Sequence, residues 1–102
     1  MASVVLTSLA DADIAHIIGD LDRLAGASVA ERYDANFDML YRRLERHPDS
    51  GAPRPKLGAH VRIAAVSPYV VIYEHVEDDD VVMILRVVHG RRNITRKLVR
   101  GG

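Results

Sequence analysis

The chain has 102 residues, 48% hydrophobic and 27% charged, a size and balance that suit one folded domain over 1–102 and exclude a disordered chain. Its 14 Lys+Arg are matched by 14 Asp+Glu, which excludes a bulk polycation that holds nucleic acid by net charge, so any anion-binding site must come from local clustering. It has no cysteine, and this removes a disulfide frame, a thiol nucleophile and a thiolate zinc site.

The N-terminus has no basic n-region and no apolar run long enough to span a bilayer. The expectation is a soluble, cytoplasmic protein without a membrane partner. The β-branched run "SVVLTS", Ser3 to Ser8, suits a first strand that ends at a helix cap. Ile14, Ile17, Ile18, Leu21 and Leu24 then recur at three- and four-residue spacing with Asp13, Asp20 and Arg23 between them, which predicts an amphipathic helix closed by Gly26. The next stretch opens with Ser28 and Glu31 in capping-box spacing. It carries an apolar stripe of Tyr33, Phe37, Leu40 and Leu44, has acids early and arginines late as the helix dipole favours, and stops at His47 before Pro48. Two helices with a short link predict an antiparallel hairpin. After "PDSGAPRPKLG" the periodicity changes. "HVRIAAV", "PYVVIYEHV" and "VVMILRVV", separated by Ser67-Pro68 and by the acidic turn "EDDD", predict a three-stranded antiparallel meander. Strand, helical hairpin and meander together give a two-layer α+β domain with a basic C-terminal segment.

Strand alternation places Val82, Ile84, Arg86 and Val88 on one face and Val81, Met83, Leu85 and Val87 on the other. A guanidinium among apolar neighbours must reach solvent, an acid such as Glu74 on the adjacent strand, or an anionic ligand. Arg62 repeats the pattern in "VRI"; if both arginines point to one open face of the sheet they form a cationic patch suited to phosphate or carboxylate. Beyond the last strand, "HGRRNITRKLVRGG" holds Arg91, Arg92, Arg96, Lys97 and Arg100 and no acid, a pattern that by itself suits a solvated tail. His89 is either an anchor or a proton-transfer group. The five histidines lack ligand spacing and Asp78 to Asp80 lack a calcium-loop register, so no metal is expected. No Gly-rich phosphate loop and no G-x-S-x-G elbow is present, and no cofactor is expected.

The stretch "PYVVIYEHVEDDDVVMILRVVHGRRNI", Pro68 to Ile94, resembles the ParE branch of the RelE/ParE superfamily of toxins from bacterial type II toxin–antitoxin systems. "ADADIAHIIGDL", "HPDSGAPRPKLG" and the arginine of "HVRI" extend the likeness over nearly the whole chain. The resemblance implies a toxin that inhibits DNA gyrase and is neutralised by a ParD-like ribbon-helix-helix antitoxin; it also implies the alternative of the related RelE branch, a ribosome-dependent mRNA endoribonuclease. In the alternative, Arg62, Arg86 and His89 hold the scissile phosphate and move protons, with Lys56 nearby; no tyrosine follows Arg86, which favours the gyrase reading and leaves no assigned catalytic residue. The target-binding candidates are then Arg86, His89, Arg91, Arg92, Arg96, Lys97 and Arg100. Ile17, Leu21, Tyr33, Phe37 and Tyr41 are the candidates for antitoxin contact. No direct sequence-specific binding of nucleic acid is expected.

Overall fold

A five-stranded sheet carries the helical hairpin on one face in the computed structural model, which describes residues 1–101. The elements in chain order are β1 (Ser3–Leu6), α1 (Ser8–Ala25), α2 (Ala27–Arg46), β2 (Ala52–Pro53), β3 (Val61–Val66), β4 (Tyr69–Val76), β5 (Val81–His89) and α3 (Arg96–Arg100). The strand order is β1-β5-β4-β3-β2. β3, β4 and β5 form the expected antiparallel meander. β1 adds to the far edge in parallel with β5, pairing Ser3 with Val81 through to Leu6 with Ile84. The two-residue β2, paired antiparallel to β3, has no signal in the periodicity because it holds a proline and no alternation.

The first helix starts where the hydroxyls indicated. Thr7 caps it, its side chain accepting the Ala10 N–H at 3.1 Å. The expected capping box of Ser28 and Glu31 does not form. Gly26 alone joins the hairpin, serving as C-cap of α1 and N-cap of α2, and its φ of 94° lies where a side chain would be strained. α2 ends at Arg46 with His47 as its cap, as the following proline required.

The hairpin and sheet enclose the main core. Ala10 from α1 and Phe37, Leu40 and Leu44 from α2 pack on Val71, Tyr73, Val82, Ile84 and Val87, with Ile14, Ile17 and Ile18 closing the side. Each fully buried large side chain of this kind contributes about 1.5–3 kcal/mol. A second, smaller cluster lies on the opposite face, where Val99 of α3 meets Leu57, Val61, Ile72 and Val88. The C-terminal segment is therefore docked, not a solvated tail. Among the described residues no helix is long and apolar enough to cross a membrane.

One irregularity reorganises the last strand. Ile72 pairs with Arg86 while Tyr73 pairs with Ile84, so Leu85 is an extra residue on β5. The bulge reverses the alternation: Val82, Ile84 and Val87 belong to the hairpin-side core, whereas Val88 belongs to the opposite cluster. Simple alternation had placed Val82, Ile84, Arg86 and Val88 together.

Candidate functional site

β1 ends opposite Ile84, leaving the outer edge of β5 open from Leu85 onward. Side chains at the start of α1 take over its hydrogen bonds. Thr7 donates through Oγ1 to the Leu85 carbonyl at 2.9 Å, and Asp13 accepts the Val87 N–H at 3.0 Å. The same Asp13 carboxylate receives a forked pair from Arg86, Nε at 2.7 Å and Nη2 at 2.9 Å, the bidentate arrangement that only arginine offers. The remaining amine, Nη1, donates to the Leu98 carbonyl of α3 at 2.7 Å. Arg86 is 9% exposed, and these partners answer the question its buried position raised.

Glu74 is not the partner: it stands opposite Met83, while Arg86 stands opposite Ile72. Nor do Arg62 and Arg86 form one patch. Arg62 pairs with Tyr73, and Ile63 pairs with Ile72, so the row Ile63, Ile72, Arg86 lies on one face and the row Arg62, Tyr73, Ile84 on the other. Arg62 turns to the loop after α2, donating through Nη1 to the carbonyls of Asp49 at 3.0 Å and Gly51 at 2.8 Å. Its neighbour Tyr73 is buried, and its hydroxyl accepts the Gly51 N–H at 2.8 Å. Burial raises the Tyr73 pKa, partly offset by that hydrogen bond and by the Arg62 charge.

His89 closes β5 at the surface. Its Nδ1 accepts the Arg91 N–H at 3.1 Å, and its ring meets Tyr69 edge-on at a centroid distance of 5.8 Å. Arg91, Arg92, Arg96, Lys97 and Arg100 are all exposed, and none is ion-paired among the described residues. Arg96 donates through Nε to the Lys56 carbonyl at 3.2 Å, a neutral acceptor, and has no ion-pair partner among the described residues. Thr95 caps α3 by accepting the Leu98 N–H at 3.1 Å.

A groove of about 410 Å³ runs between α1 and the end of β5, lined by Ile17, Leu21, Leu24, Tyr69 and Val87 with Asp13 and Arg92 at its polar side. Leu24 is 74% exposed there. Ile17 and Leu21 thus face the groove as partly buried residues. Phe37, expected to touch an antitoxin, is 1% exposed and packs in the main core instead. Tyr33 and Tyr41 pack against the same core from α2 while remaining partly exposed. The Tyr41 hydroxyl is buried without a hydrogen-bond partner among the described residues, and burial, with Asp38 and Asp34 nearby, pushes its pKa up to about 12.

A third cluster sits at the acidic turn. Asp49, His75 and Glu77 bring ligand-type atoms within 4.8 Å of one another. Both His75 nitrogens already face carboxylates, Nε2 at 2.8 Å from Asp80 and Nδ1 at 3.3 Å from Asp49, and the Arg62 guanidinium stands 3.7 Å from Asp49. These partners make the cluster a hydrogen-bonded clamp between the turn and the loop after α2.

A family model described as the ParE toxin of the type II toxin–antitoxin system, parDE, matches residues 4–94. The chain belongs to the ParE toxin family. Toxin ParE3 of Caulobacter vibrioides is 30% identical over 98 residues, spanning 96% of each chain. The fold is shared with the chromosomal ParDE toxin–antitoxin system from P. aeruginosa, at a TM-score of 0.72 and 24% identity over 87% of this chain and 96% of that one. It is shared more distantly with the toxin–antitoxin complex RelBE2 from Mycobacterium tuberculosis, at a TM-score of 0.54 and 22% identity over 86% and 96% of the two chains. The ParE match ends at Ile94, so the basic helix α3 lies beyond it.

Proposed function

We propose that this ParE-family toxin inhibits DNA gyrase without catalysing a reaction of its own, using the exposed cations of 91–100 to engage the enzyme or its DNA complex. The observation that carries this reading is a run of five uncompensated cations on a docked segment, Arg91, Arg92, Arg96, Lys97 and Arg100. A surface of one sign attracts a polyanionic or acidic target over roughly a Debye length. The ribonuclease alternative loses its constellation: Arg62 and Arg86 lie on opposite faces of the sheet, Arg62 turned to the loop after α2 and Arg86 to Asp13 and Leu98, and His89 is left without a neighbouring phosphate clamp. Lys56 lends only its carbonyl to the region, as acceptor for Arg96.

A ParD-like antitoxin is assigned to the groove of Ile17, Leu21 and Leu24, where an amphipathic helix can bury apolar anchors at helical spacing. The cellular setting is the cytoplasm. The deciding experiment places purified toxin, released from antitoxin, in a gyrase supercoiling assay and in ribosome-dependent mRNA cleavage. Inhibited supercoiling with intact mRNA is the expected result. Cut mRNA with unaffected gyrase overturns the reading.

A further inference from the structure

α3 spans only Arg96–Arg100, far too short to persist as an isolated helix in water. Its position must come from tertiary contacts, and three are present. Val99, 6% exposed, is set into the cluster on the sheet's second face, with Leu98 packed against it. Arg96 reaches the Lys56 carbonyl from the surface. The third is the Arg86–Leu98 hydrogen bond, which is charge-assisted, 2.7 Å long and shielded from water. Leu98 also accepts the Gly101 N–H at 3.1 Å, so the guanidinium binds the very carbonyl that closes the helix. Arg86 is itself held by the fork to Asp13, whose side chain is 16% exposed. A single carboxylate on α1 thus fixes the guanidinium that fixes the basic helix.

We propose that Asp13 and Arg86 are a positioning pair: they hold α3, and with it Arg96, Lys97 and Arg100, in the orientation presented to the target. The inference rests on the target-binding reading above. In it Arg86 does not touch the target. Each of its three nitrogens donates inside the molecule, and its role is to keep α3 docked over the second cluster instead of swinging on the 90–95 connection. Without the pair, α3 remains attached by the apolar contacts of Val99 and Leu98 and one surface hydrogen bond, and its cations sample more orientations.

The test uses the full chain with three substitutions, read by amide hydrogen exchange over 96–101 and by gyrase supercoiling. Arg86→Lys keeps the positive charge beside Asp13 and gives up the fork. Asp13→Asn keeps the shape and removes the charge, and serves should Arg86→Lys fold poorly. Val99→Ala leaves the pair intact and loosens α3 from its apolar side. All three should raise exchange in α3 by about tenfold or more beyond any rise shared with the β3 and β4 amides, which report global stability; that factor is the loss expected of one charge-assisted hydrogen bond or one buried contact. The inhibitory concentration should rise in parallel. Unchanged exchange in α3 for Arg86→Lys and Asp13→Asn overturns the proposal. So does weakened inhibition in Arg86→Lys with none in Val99→Ala, since Arg86 would then act on the target directly. A parent chain without effect on gyrase refutes the target assignment instead, and the exchange data then decide the positioning role alone.

Discussion

The hydroxyl of Tyr73 in the central strand accepts the backbone N–H of Gly51 at 2.8 Å, tying the loop after the helical hairpin to the middle of the sheet. A Cβ on Gly51 would lie 2.5 Å from that hydroxyl and 2.7 Å from the Ile63 carbonyl. Gly51→Ala must shift both neighbours or its own backbone, at an expected cost of about 1–3 kcal/mol or more. Tyr73→Phe leaves the Gly51 N–H buried and unpaired, for about 1–3 kcal/mol. Urea unfolding checks both, and the pair should be non-additive because they act on one contact.

The buried Asp13–Arg86 pair predicts a second asymmetry. Arg86→Met alone strands the Asp13 carboxylate and should lose about 3–5 kcal/mol of stability. The double change Asp13→Leu with Arg86→Met removes both charges and should recover much of that loss. A double mutant no more stable than Arg86→Met in chemical denaturation refutes this account.

His75 gives the molecule a pH signature. Its hydrogen bond to Asp80 is the main cause of a raised pKa, assisted by Asp49 and opposed by burial. A folded pKa above the unfolded value of about 6.5 means the stabilisation is fully present below about pH 6.5 and lost as pH rises through the folded value. The melting-temperature gap between the parent and His75→Gln should therefore be widest near about pH 6 and narrow as pH rises through the raised folded value. A gap that widens with pH contradicts the assignment. Asp49 and Asp80 are more than half exposed, so added salt should shrink the gap.

The groove and the core separate experimentally. Leu24→Glu, at a position 74% exposed, should leave the melting temperature unchanged and weaken a ParD-like antitoxin by about 1–2 kcal/mol in calorimetric titration. Phe37→Ala should cost about 3–5 kcal/mol of stability. Equal affinity for Leu24→Glu would move the antitoxin to another surface.

Tyr41→Phe is expected to be neutral or stabilising by up to about 1 kcal/mol, because it removes a buried hydroxyl without a partner among the described residues. A clear drop in melting temperature would show that the hydroxyl is bonded after all.

The helical hairpin and the meander were legible because each repeats a period over many residues: Ile14, Ile17, Ile18 and Leu21 for one helix, the β-branched runs for the strands. The features that build the site were not. Asp13 sat among the polar residues of α1 and read as solvated; its partner lies 73 positions away, and no local pattern couples the two. Arg86 was rightly singled out as a charge needing a partner, but one extra residue at Leu85 changed its face, and alternation cannot register an insertion whose partner strand is unknown. α3 is shorter than two helical turns, so its apolar contact through Leu98 and Val99 produces no periodic signal. The basic run was visible and its docking was not.

The parallel partnership of β1 with β5 sets the order in which the molecule can be completed. Thr7 bonds Leu85 across 78 positions of chain, and β1 has only β5 as a neighbour in the sheet. While the ribosome is still making the meander, the first strand and the apolar faces of both helices have nothing to close against. Non-local closure of this kind is slow and leaves apolar surface open to other chains. The nascent chain thus leaves the apolar face of its hairpin open before its basic end has been made.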